Sequence, residues 1–165
     1  MIIYGIGAVI LLLFLVVPIR ERILRRLDRL APGSVAFTIA NRRLFGEALA
    51  LAAAGTDWVE RATGLTSAPS VTADTIGLTF WDNTPPERVG SLEWSRVAGL
   101  EVVDLQTTYR RWSASAILVH VSTGSGTVAV PLLSPNGTRG MTGSRRESEF
   151  LLGQLEELRT TSVVV

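Results

Sequence analysis

"DTIGLTFWDNTPPERVGSLEWS", residues 74–95, alternates apolar and polar side chains on both sides of a proline-marked break. Ile76, Leu78 and Phe80 share one face of its first part and Thr75, Gly77 and Thr79 the other, which is the two-residue period of a half-buried strand. "DNTPPERVG" has the Asn, Pro and Gly content of a loop, and beyond it Leu92 and Trp94 face inward while Glu93 and Ser95 face out. Two strands of an antiparallel meander are therefore predicted.

Toward the C-terminus the pattern continues. "GLEVVDL" reads as a third strand, and "SASAILVHV" and "TVAVPLL" flank the Gly-containing turn "STGSG" as a hairpin. The chain then changes period. Ser144 and Glu147 match an S-x-x-E capping box, and Leu151, Leu155 and Leu158 form the apolar stripe of a helix. A mostly antiparallel sheet with one helix across its open end buries both apolar surfaces, so the expected class is α+β.

Toward the N-terminus, residues 31–69 read as a strand, a helix and a loop leading into a β domain over residues 70–165. "APGSV" breaks a preceding helix and "VAFTIA" is a short strand. In the Ala/Leu-rich stretch 42–54, Leu44, Phe45, Ala48, Leu49 and Ala52 lie on one side of a helix that Gly55 would end, with a strand as the competing assignment. "RATGLTSAPSV" reads as loop.

The order of "DTIGLTFWD", "GSLEWSRVAGLEVV", the hairpin and the closing "SEFLLGQLEELR" resembles the bacterial pleckstrin-homology-like (PH-like) domains, which are often tethered to membrane helices. The resemblance covers roughly residues 70–159 and rests on element order. It implies an interaction domain closed by its C-terminal helix. Where phosphoinositide-binding members carry a basic loop, "DNTPPER" carries two acids and one arginine.

Residues 1–19 contain no charged side chain, and at about 1.5 Å per residue they reach roughly 28 Å, close to the hydrocarbon thickness of a bilayer. The arginines follow this run rather than precede it, and no A-x-A site adjoins it, so an uncleaved transmembrane anchor is expected rather than a signal peptide. Residues 20–30 place Ile23, Leu24, Leu27 and Leu30 at helical spacing, with Arg22, Arg25, Arg26 and Arg29 opposite: a basic amphipathic juxtamembrane helix. Here Arg20 and those four arginines stand against Glu21 and Asp28, a balance of +3 that leaves −2 for the rest of a chain whose net charge is +1. By the positive-inside rule the N-terminus lies outside and the domain is cytoplasmic at the cell membrane. A slightly acidic domain is poorly suited to nucleic acid.

All 16 basic residues are arginine, which fits a coding bias, so single arginines carry little functional weight. With no cysteine, disulfides and thiolate chemistry are excluded. His120, the one histidine, alternates with Leu118 on the hairpin face opposite Ile117, Val119 and Val121, with no nucleophile or metal-ligand set at a recognisable spacing. No catalytic residue, metal or cofactor is expected. The candidate interaction surface is Trp81, which points away from Ile76, Leu78 and Phe80, the aromatic and basic run Tyr109, Arg110, Arg111 and Trp112, and Arg139, Arg145 and Arg146. The reading is a non-enzymatic, single-pass membrane protein presenting a cytoplasmic PH-like domain to a protein partner. Its alternative is a module for anionic phospholipid headgroups; an enzyme or an accessory subunit stands third.

Overall fold

The computed structural model describes residues 21–39, 42–65, 69–83, 86–106, 113–132 and 144–162. Their strands form two antiparallel sheets. The first has the order β1 (Val35–Thr38), β2 (Ser70–Ala73), β3 (Gly77–Asn83), β4 (Pro86–Glu93), and the second β5 (Val97–Gln106), β6 (Ser113–Thr123), β7 (Gly126–Leu132). The helices are α1 over residues 21–30, α2 (Arg42–Ala52), α3 (Val59–Thr63) and α4 (Arg145–Ser162). The class is α+β with antiparallel sheets and a C-terminal helix, as expected.

Residues 42–52 are helix, not strand. The row Phe45, Leu49 and Ala52 is buried, with Ala48 packed beside it. Leu44, expected on the same side, is half exposed, because adjacent helical residues are rotated by about 100° and it falls on the border of the stripe. Past the helix end, Gly55 takes φ +79°, a conformation that side chains with a Cβ rarely adopt. Arg96 donates to the Ala52 carbonyl at 3.1 Å, giving one orphan acceptor of that helix end a cationic partner.

Strand β1 pairs with β2 from Val35↔Ala73 to Thr38↔Ser70, so the stretch before residue 70 shares a sheet with the strands that follow. Two expectations for residues 74–95 are corrected. Ile76 is not an inward strand residue. It lies in the turn before β3 and is 71% exposed, because Asp74 Oδ1 accepts the N–H groups of Ile76 and Gly77 at 2.8 and 3.1 Å and makes the turn there. Nor is "DNTPPERVG" all loop. The ladder runs through Asp82↔Glu87 to Asn83↔Pro86, and Pro86 is tolerated as the first residue of a strand at the sheet edge, where its missing N–H costs no ladder bond. Leu92 and Trp94 are buried and Glu93 and Ser95 exposed, as the alternation predicts. Trp94 sits in a 3₁₀ turn, Trp94–Arg96, between the sheets, and its indole donates to the Asp74 carbonyl at 2.8 Å.

A helix also occupies part of the expected loop. Trp58, just before α3, and Ala62 within it are four residues apart and both buried, so this short helix survives on tertiary packing rather than on its length. Phe80 is the meeting point of that packing: its ring centroid is 5.9 Å from Phe45 of α2 and 5.9 Å from Trp58. Helix α2 also packs on β7, so one helix carries the core from the first sheet to the second.

Helix α4 begins at the expected box. The Ser144 N–H donates to Glu147 Oε2 at 3.0 Å, and the Glu147 N–H returns to Ser144 Oγ at 3.4 Å. Leu151 and Leu155 are buried and Leu158 packs against the core, laying α4 over β5 and β6. Among the described residues no helix is long and apolar enough to cross a membrane. The span expected over residues 1–19 lies outside them.

Candidate interaction surface

On the inner face of the first sheet Phe37, Val71, Leu78, Phe80 and Leu92 enter the core. Its outer face carries Thr38, Ser70, Thr72, Thr79 and Trp81, and Thr38, Ser70 and Thr72 are buried although their side chains leave the core. The chain just before β1 lies beside part of this face. Leu30, Ala31, Pro32 and Ser34 form one wall of a cleft of about 340 Å³ whose other walls are Thr72, Asp74, Thr79, Trp81 and Arg88. Leu27, one turn back in α1, is fully buried, yet it lies outside the main core cluster. Thr38 Oγ1 finds no hydrogen-bond partner among the described residues.

The register explains why Trp81 lines this cleft. Phe80 pairs with Gly90 but Trp81 with Arg88, so Val89 is an extra residue on β4. This bulge brings Arg88 opposite the indole. Trp81 Nε1 donates to Thr72 Oγ1 at 2.9 Å, which fixes the ring over the sheet rather than leaving it loose in solvent. An aromatic face, a guanidinium and hydroxyls therefore converge beside the end of α1. Arg88 was not among the expected surface residues. Nothing in its local sequence marks it, because its placement depends on the bulge.

Of the other expected surface residues, Tyr109, Arg110, Arg111, Trp112 and Arg139 lie outside the described residues, as does Arg20 of the basic flank. Arg22, Arg25, Arg26 and Arg29 are exposed along α1, with Arg25 bonded to Glu21 at 3.2 Å. Arg146 is exposed in the first turn of α4. Arg145 is engaged within the chain: it reaches Asp104 of β5 and Glu149 of its own helix, both at 2.9 Å. These bonds, to Glu149 first and Asp104 next, raise its pKa above the ordinary arginine value. The Ser115 hydroxyl, 2.6 Å from Asp104, does most to hold the Asp104 carboxyl below its ordinary value; desolvation opposes it, and the hydrogen bond and charge of Arg145 lower it further.

The second sheet supplies a partner that periodicity could not. His120 Nε2 lies 2.8 Å from Glu101 Oε1 on the outer face. His120 pairs in register with Gly99 and Glu101 with Leu118, so the contact is a diagonal across β5 and β6. Among the described residues no group of three His, Asp or Glu side chains could hold a metal ion. No family model matches the chain, and neither a curated protein nor a solved structure does.

Proposed function

We propose that the chain is a single-pass membrane protein whose PH-like domain, on the cytoplasmic side, presents an interaction surface to a protein partner. The observation that carries this reading is the cleft beside α1. Trp81 and Arg88 form one of its sides and residues 30–34 the other, so the surface with the most interface-like chemistry adjoins the segment leading back to the apolar run 1–19. The division of strands into β1–β4 and β5–β7 with α4 across the second sheet supports the PH-like assignment. The uncharged run followed by arginines supports the anchor and its orientation.

The test is a photo-reactive residue at Pro32, which is exposed on the cleft wall, with the same residue at exposed Thr127 of the second sheet as control. Illumination of intact membranes should give a discrete protein adduct from position 32 and none from 127. The absence of any adduct at 32 would overturn the reading. A second reading, a phospholipid-surface module, is favoured by the four exposed arginines of α1. It predicts a lipid adduct at position 32 and membrane association that weakens steeply with salt.

A further inference from the structure

Arg88 also lines a second hollow, between β4 and the segment around α3. This one has a volume of about 260 Å³ and is walled by Asp57, Trp58, Arg61, Val89, Gly90 and Ser91 besides Arg88. Its floor is fixed. A Cβ at position 90 would stand 2.2 Å from the Trp58 ring, so glycine there is what lets the indole lie directly on the strand. One of its cations is fixed too, because Arg61 Nε donates to the Val89 carbonyl at 2.8 Å. That bond uses an acceptor at the bulge and leaves the outer nitrogens of the guanidinium available. Arg88 donates to Ser91 Oγ at 2.9 Å, which holds the second guanidinium and the hydroxyl at the same hollow.

Among the described residues neither cation of this hollow meets a carboxylate closely, unlike three other arginines. Arg25, Arg43 and Arg145 each meet a carboxylate at 3.2 Å or less. Arg61 approaches Asp57 only at 4.0 Å, and that carboxylate is 91% exposed, where water screens it. Arg88 has no carboxylate partner among the described residues. Two guanidiniums, a hydroxyl and a rigid floor thus share one hollow with a single acid at its rim. Placing like charges together costs free energy unless an anion joins them, and the planar fork of arginine matches the oxygens of a phosphate-type group.

We propose that this hollow binds a phosphate-type oxyanion through Arg61, Arg88 and Ser91. The inference does not depend on what occupies the neighbouring cleft. The oxyanion has two possible sources, free phosphate or a phosphomonoester lipid headgroup. The test uses the purified full chain at constant ionic strength, with chloride as reference. Inorganic phosphate probes the first source, and vesicles of phosphatidylcholine with and without phosphatidic acid probe the second. Thermal melts and isothermal titration should show binding in at least one arm, and the arm that responds names the source.

Arg88→Gln, an exposed side chain bonded among the described residues only to Ser91, should weaken that binding about tenfold or more while the melt in chloride stays close to wild type. Asp57→Asn should tighten it about two- to fivefold, since it removes only a solvent-screened charge. Because position 57 is exposed, this second variant decides the matter even if the first disturbs folding. Equal responses to chloride and to both probes, or binding that neither substitution alters, would overturn the proposal.

Discussion

The two sheets share one core yet treat their outer faces differently. On the first, Thr38, Ser70 and Thr72 are buried, Trp81 is half-buried with its indole bonded to Thr72, and residues 30–34 lie alongside. On the second, Glu101, Ser122 and Thr127 are exposed and His120 is paired with Glu101 at the surface. The same strand alternation produces both faces. What differs is that residues 30–34 adjoin the first face beside Thr72 and Trp81, whereas Glu101, Ser122 and Thr127 of the second meet solvent.

The substitution expected to cost most strikes what the two sheets have in common. Leu155 is fully buried beneath α4, and Leu155→Asp would bury a carboxylate without a partner. A loss of about 3–5 kcal/mol in chemical denaturation is expected, much of the stability of a domain this size. A wild-type melt would mean that α4 does not close the core.

Leu27→Ala is the sharper test of the difference between the faces. If α1 covers the first sheet, removing this fully buried side chain should cost about 2–4 kcal/mol in the full chain. A change below about 0.5 kcal/mol, typical of a surface site, would make the two outer faces equivalent. Thr38→Val addresses the same cover from beneath. Its hydroxyl is buried and unpartnered among the described residues, so an isosteric methyl should be neutral or stabilising by up to about 1 kcal/mol. A clear loss would show that the hydroxyl has a partner.

Two smaller effects belong to the second sheet. The folded-state pKa of Asp104 is lowered, so the stability it contributes is fully present above the ordinary aspartate value of about 3.9 and is lost as pH falls through the lower folded value. Asp104→Asn should therefore flatten stability against pH below about pH 4 and leave its shape near neutrality unchanged. An unaltered acid limb would remove Asp104 from the account. His120→Ala should change stability least, by about 0.5 kcal/mol or less, because its partner and its own side chain are accessible to water. A larger loss would mean that this outer face is also covered.

These contrasts mark where local sequence runs out. The capping box at Ser144 and the β6–β7 hairpin were legible because each is set by neighbours within a few residues, a cap or a turn, and over 42–52 the apolar row favoured a helix while leaving a strand open. The outcome for Ile76 and for "DNTPPERVG" was not, because an Asx turn moved the start of one strand and an edge position admitted a proline into the next. Helix α3 is not legible because two buried side chains four residues apart make too short a pattern to stand out. The site suffered most. Arg61 with Val89, His120 with Glu101 and Arg145 with Asp104 are separated by 28, 19 and 41 residues, and only strand register or helix docking brings each pair together. Alternation alone turns Trp81 outward, whereas Arg88 is aimed by a single extra residue that the local sequence does not reveal.

That extra residue has a bearing on how copies of the protein tolerate one another. Strand β4 ends its sheet, and a regular exposed edge is a template on which a second chain can add a strand. Pro86 offers no N–H to such a newcomer, the bulge at Val89 breaks the repeat after two further residues, and Glu87 and Arg88 place charges between them. The feature that aims a guanidinium also interrupts the run of backbone donors and acceptors along β4, which makes this edge a poor template for a second chain.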